Sequence, residues 1–258
     1  LIRRGERKYP RFLGWAAHRS WTRVLGMNTT PGPPLADITD TAGADIRDMI
    51  VVHTALLREF RLAPNAIRRA QHGSRRAVRG AVEHLELICS LLHHHHAGED
   101  ALLWPVLAPR LAPSESAFVA AAEAQHAGID RALDRVDVAK AEWVASRDDT
   151  ETEQLTVALE ALDQLLREHL EAEERYLLPL AAAHLSPREW GAIGEAGAAG
   201  VPKSALLLVF GMFCYEGDPE VLAQMLHTAP APLRMIVPRL APRVYARRAA
   251  RLYGTRRP

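Results

Sequence analysis

Two stretches of this chain carry residue types that bind cations, at matching spacing. The first reads His93-His94-His95-His96-Ala97-Gly98-Glu99-Asp100-Ala101-Leu102-Leu103-Trp104-Pro105, and the second His169-Leu170-Glu171-Ala172-Glu173-Glu174-Arg175-Tyr176-Leu177-Leu178-Pro179. Both fit His-x3-Glu-[Asp/Glu]-x4-Pro. An α-helix turns about 100° per residue, so four consecutive histidines point in four directions and few of them can face one core. The repeat selects His95 with Glu99 and His169 with Glu173, each pair four residues apart and therefore neighbours on one helix face. His93, His94 and His96 are then expected to face solvent or the rim of the site. His84, three turns before His95 on the same face, is a less favoured candidate to touch the site, and Asp100 and Glu174 are expected to orient a histidine or face water.

Each motif is preceded by a histidine on an apolar helical stripe. His53 lies 42 residues before His95, and His126 lies 43 before His169. The chain thus holds two copies of one unit, a helix with a single inward histidine followed by a helix with His-x3-Glu. Two such hairpins related by a pseudo-twofold axis bring four imidazoles and two carboxylates to one level of a four-helix bundle, where bundles build dinuclear metal sites. Neutral imidazole suits iron, zinc or copper, and a carboxylate can bridge two cations. Left without a cation, two carboxylates in an apolar core would be costly. Six ligands shared by two metals leave open positions, which suits a non-heme diiron centre accepting O2, peroxide or NO; spacing alone does not separate iron from zinc or manganese.

The elements that must hold these residues are all helical. The stripe Met49, Val52, His53, Leu56, Leu57, Phe60 predicts a first helix ending or kinking near Pro64. A second runs from about Ser74 to Leu103, closed by Pro105 and Pro109. A third starts near Ser114, carries Phe118, Ala122, Gln125, His126, Ile129, Leu133 and Val136, and reaches about Val144. After a polar turn over 146–152, the fourth carries Leu155, Leu159, Leu162, Leu165, Leu166, His169 and Glu173 and stops at Pro179. Trp104 and Tyr176 are candidates to line the pocket.

With these residues in place, the segment from about Ile46 to Leu180 resembles the hemerythrin-like, HHE cation-binding domain. The resemblance implies an all-α fold, an up-down four-helix bundle, with two non-heme iron ions held by His53, His95, Glu99, His126, His169 and Glu173. Oxygen-carrying hemerythrins have His-x3-His on the third helix and His-x4-Asp on the fourth, whereas this chain has His126-x3-Asp130 and His169-x3-Glu173. One imidazole fewer points away from reversible oxygen carriage and leaves Asp130 as a candidate extra ligand or supporting partner.

The chain has 258 residues, 48% of them hydrophobic, with a formal net charge of +1. That is enough to bury a large core, whereas the charge balance, which hides a basic start and an end without acidic residues after Glu220, says little about the core function. Three regions are expected: a basic, disordered lead over 1–44, with Met27 a candidate true start; the bundle over 45–183; and a helical extension over 184–258. In the extension Ser186-Pro187 opens a short helix, Ser204–Tyr215 is an apolar helix too short to span a bilayer, Asp218-Pro219 starts another reaching Thr228, and the last runs from about Leu233 to Tyr253. Its arginines could meet an anionic surface, but no nucleic-acid module accompanies them. Two cysteines without metal or disulfide spacing point to a reducing, cytoplasmic setting. The expected function is binding or sensing of O2, NO, peroxide or iron. The alternatives are a diiron enzyme consuming peroxide or NO, and a bundle storing zinc or iron. No nucleophile triad or phosphate loop competes.

Overall fold

The computed structural model describes residues 43–258, so all but the last two residues of the basic lead, Met27 among them, lie outside the described residues. Helix α1 (Arg47–Gln71) is followed by α2 (Arg75–Gly98), which opens at Ser74, its hydroxyl accepting from the Ala77 amide. α2 continues without a break through a π-helical turn (Glu99–Leu103) into a last α-helical turn (Trp104–Leu107). α3 (Pro113–Ser146) ends at Arg147 in the left-handed region, and α4 (Asp149–Ala172) starts on an Asp148 cap. It too passes through a π-helical turn (Glu173–Leu177), then goes on to His184.

The order of apolar layers along the helices gives the topology. Reading α1 forward, Met49 belongs to one apolar cluster, His53 follows, and Leu56 belongs to another. α2 reads in reverse, from Leu92 of the larger cluster through His95 and Glu99 to Leu103 of the smaller. α3 repeats the sense of α1 (Ala122, His126, Ile129), and α4 that of α2 (Leu166, His169, Glu173, Leu177). The four helices therefore run up, down, up, down, joined by short turns as antiparallel neighbours must be. A polar layer sits at one level of all four, between two apolar clusters.

Three prolines that looked like stops are not. α1 passes through Pro64, which is buried, and ends only at Gln71. An interior proline forfeits one backbone hydrogen bond and crowds the preceding turn, at about 3 kcal/mol. Here Phe60, Ala63, Ala66 and Ile67 are all buried around it, and their packing offsets that loss. Pro105 and Pro179 follow the two π-helical turns, whose wider winding has the Trp104 amide donating to the Glu99 carbonyl and the Leu178 amide to the Glu173 carbonyl. That displaces the carbonyl each proline ring would otherwise strike, so both helices continue.

The C-terminal residues form four more helices: α5 (Pro187–Ala199), α6 (Leu206–Glu216), α7 (Pro219–Met225) and α8 (Ala231–Leu252). α5 is longer than the expected short helix and loop, and buries Trp190, whose indole N–H donates to Asp48 at 2.9 Å. α6 and α8 cross closely at Gly211, where a Cβ would run into the Ala241 carbonyl oxygen. Together they cover α1 and α2 and contribute Met212, Tyr245, Ala249 and Leu252 to the larger cluster. Among the described residues no helix is long and apolar enough to cross a membrane.

Candidate metal centre

The six residues selected by the repeat converge. His53, His169, Glu99 and Glu173 are at most 1% exposed, His126 is 3% exposed, and the His95 side chain is 9% exposed. One donor atom from each of His53, His95, Glu99 and Glu173 lies within 4.8 Å of the others. A second group at the same separation contains His96, Glu99, His126 and His169. Glu99 belongs to both: its Oε1 is 3.3 Å from His95 Nε2 and its Oε2 is 3.4 Å from His126 Nε2. Glu173 is placed similarly, Oε2 being 3.6 Å from His53 Nε2 and 3.7 Å from His169 Nε2. Each carboxylate therefore faces imidazoles of both hairpins, the position from which it can bridge two cations.

The ring orientations are fixed from behind. Asp100 Oδ1 is 2.7 Å from His126 Nδ1, Glu174 Oε1 is 3.0 Å from His53 Nδ1, and Gln125 Oε1 is 3.1 Å from His169 Nδ1. These oxygens only accept, so each Nδ1 carries a proton and each Nε2 is turned inward, where it presents a lone pair whenever its ring is neutral. The inward nitrogens meet in pairs, His53 with His95 at 3.1 Å and His126 with His169 at 3.2 Å. Lone pairs so close repel unless a proton or a metal cation lies with them. Asp100 and Glu174 thus orient histidines, as their place one residue beyond each glutamate suggested; Gln125, a carboxamide on an apolar stripe, gave no such signal.

The electrostatics carry the same demand. Neither oxygen of Glu99 nor of Glu173 makes a well-formed hydrogen bond, although all four are buried. Burial opposes ionisation of both. Nearby imidazole charge overcomes this at Glu99 and holds it near 2, whereas burial and then the charge of Glu99 push Glu173 well above the usual carboxylate range. Burial lowers His95 to about 4 against the pull of Glu99, and lowers His169 to about 3 with the charge of His126 adding to it. Burial opposes charge on His126 also, yet the hydrogen bond to Asp100 and the nearby Glu99 carboxylate outweigh it and raise the ring to about 9. Protons on His126 and Glu173 thus do part of what a metal would do, and orphaned carboxylate oxygens beside inward lone pairs fit a cation pair better than any protein donor.

Three expectations are corrected. His96 is not at the rim: it is 3% exposed and its ring stacks on His126 at 4.2 Å, because it continues the buried stripe Leu85, Ile88, Leu92. Asp130 is not within the cluster; its carboxylate is 43% exposed and 3.5 Å from His93 Nδ1. His84 does not reach the centre, because its Nε2 meets Glu59 Oε2 at 2.8 Å, in a separate buried network with Arg58, Tyr245 and Tyr253. Trp104 closes one end of the site with its ring 6.5 Å from His126, while Tyr176 is 40% exposed and stacks on Phe118 outside it.

No curated protein and no solved structure matches the chain. The family model described as "Hemerythrin HHE cation binding domain" matches residues 44–181, just over half the chain and all but the last three residues of the four-helix bundle that holds the cluster. With that match added to the paired His-x3-Glu hairpins and their shared polar layer, the chain belongs to the hemerythrin HHE cation-binding family.

Proposed function

We propose that this is a non-heme diiron protein that binds or senses a small ligand, O2, NO or peroxide. The observation that carries the reading is the split of Glu99, one oxygen toward His95 and the other toward His126, which makes one carboxylate serve two cation positions. His53, His95, Glu99 and Glu173 would hold one ion, and His126, His169 and the same two carboxylates the other. Iron bound there would supply electrons and open coordination positions to a diatomic or peroxide ligand. The protein's own contribution is orientation and exclusion. Glu174, Asp100 and Gln125 keep the Nε2 atoms inward, and near-complete burial keeps bulky molecules away from them.

The test is metal analysis of purified protein after anaerobic reconstitution with iron, with optical spectra under air and under NO. Two irons per chain and a ligand-dependent spectrum are expected, and Glu99→Gln and Glu173→Gln should lower the stoichiometry while the helical signal persists. Full iron loading of both variants would refute the assignment. Peroxide consumption lost in His95→Ala would identify an enzyme rather than a sensor, and zinc alone in the isolated protein would identify a storage or structural bundle.

A further inference from the structure

His96 is the member of the cluster that the internal repeat does not explain. Its counterpart in the second hairpin is Leu170, fully buried in the larger apolar cluster, so a hydrocarbon side chain packs well at this level of the bundle. An imidazole stands here instead, and neither of its ring nitrogens has a hydrogen-bond partner. Besides stacking on His126, its ring meets that of His169 edge-on at 4.9 Å between centroids. A ring kept only for stacking would carry no nitrogen, because burying an unpaired donor and an unpaired acceptor is costly. One of those nitrogens, however, lies within 4.8 Å of donor atoms of Glu99, His126 and His169.

We propose that His96 is a direct ligand of the ion on the His126 and His169 side, an inference that rests on the dinuclear reading above. The second histidine that oxygen-carrying hemerythrins place on their third helix is Asp130 here, directed away from the cluster toward His93. The imidazole is supplied from the second helix, next in sequence to His95. The adjacent residues His95 and His96 diverge by about a third of a turn, so each serves a different ion. The two ions are consequently unequal: three imidazoles hold one and two hold the other, and the ion on the His53 and His95 side leaves first under a chelator.

The experiment follows iron content, and iron loss to a chelator, in reconstituted wild type, His96→Leu and His96→Gln, with His94→Ala as a neighbour control. Loss of a residue that merely supports a ligand weakens metal binding ~10–100-fold, so both His96 variants should release the slow-leaving iron at least ~10-fold faster. His94→Ala should behave as wild type. Metal-free His96→Leu should melt about 2–8 °C above metal-free wild type, because two orphaned nitrogens are gone, yet gain less on adding iron. Should Leu perturb folding, Gln keeps a polar side chain of similar size and supplies the chelation result alone. Two irons retained at the wild-type rate in both variants overturn the role of His96 and leave the dinuclear centre standing. Failure of wild type itself to take up two cations brings down both.

Discussion

Replacing Glu59 by Gln probes what ties the C-terminal helices to the bundle. Glu59 is 0% exposed, and its Oε1 accepts from Tyr245 at 2.6 Å and from the Arg58 guanidinium at 2.9 Å. Its Oε2 accepts from Tyr253 at 2.8 Å and faces His84 Nε2 at the same distance. Arg58 also donates to the Met212 carbonyl at 2.9 Å and to Glu216 at 2.8 Å, so α1, α2, α6 and α8 share one network. Burial opposes the charge on Glu59, but His84, Arg58 and Tyr245 outweigh it and hold the carboxyl near 2, against an ordinary value of 4.5. A lowered folded-state pKa means the ion stabilises the fold above pH 4.5, and that this stability is lost as pH falls toward 2. The difference corresponds to about 3 kcal/mol, roughly 2 of it already lost by pH 3. Removing one partner of a buried ion pair costs about 3–5 kcal/mol, reduced here because Arg58 keeps Glu216. Urea unfolding of Glu59→Gln followed by circular dichroism, metal state held constant, should therefore show a loss of about 3 kcal/mol at pH 7. The gap to wild type should shrink to about 1 kcal/mol at pH 3. A variant within 0.5 kcal/mol of wild type at pH 7, or a gap that does not close in acid, refutes the reasoning (a change of that size is roughly what an uncoupled surface substitution gives).

Metal uptake should release protons, because at neutral pH the cations displace those on His126, raised to about 9, and on Glu173, raised well above the carboxylate range. Affinity should rise with pH up to about 9, and dye-monitored iron or zinc titrations in weak buffer check it. Gly211→Ala puts a methyl against the Ala241 carbonyl and the Tyr245 side chain, so α6 and α8 must separate, at a cost of roughly 1–3 kcal/mol by urea unfolding. Arg147 closes α3 at φ 55°, so Arg147→Gly should raise stability by about 1 kcal/mol, read in the same assay.

Six members of the cluster were legible because the motif occurs twice. One copy with four consecutive histidines is ambiguous, and the second copy resolves it by carrying a single histidine. The same device hid His96, since Leu170 at the matching position made the second inward histidine look dispensable. Its signal was the spacing from Leu85, Ile88 and Leu92, an apolar stripe that continues onto it as well as onto His95. The proline boundaries misled for a different reason. The rule that proline ends a helix weighs only the local backbone, whereas Pro64 is compensated by packing across α1 and the other two by a change of winding. His84 shares the helix face of His95, but it is held by Glu59 and by Tyr253, which lie 194 residues apart in sequence, a pairing no local pattern encodes.

The two wide turns at Glu99 and Glu173 each amount to one surplus residue in an otherwise regular helix. Everything before the surplus residue, including His93, His94, His95 and His96 on α2 and His169 on α4, keeps its phase whether or not it is present. Everything after it, Leu103, Trp104 and Leu107 on one side and Leu177, Leu178 and Ala181 on the other, is rotated by it into the smaller apolar cluster. Excising one residue from the later part of either turn, 101–103 or 175–177, would swing that cap away and open the polar layer from one end while Glu99, Asp100, Glu173 and Glu174 keep their places. Access to the centre and composition of the centre are thus written in separate parts of the same helices.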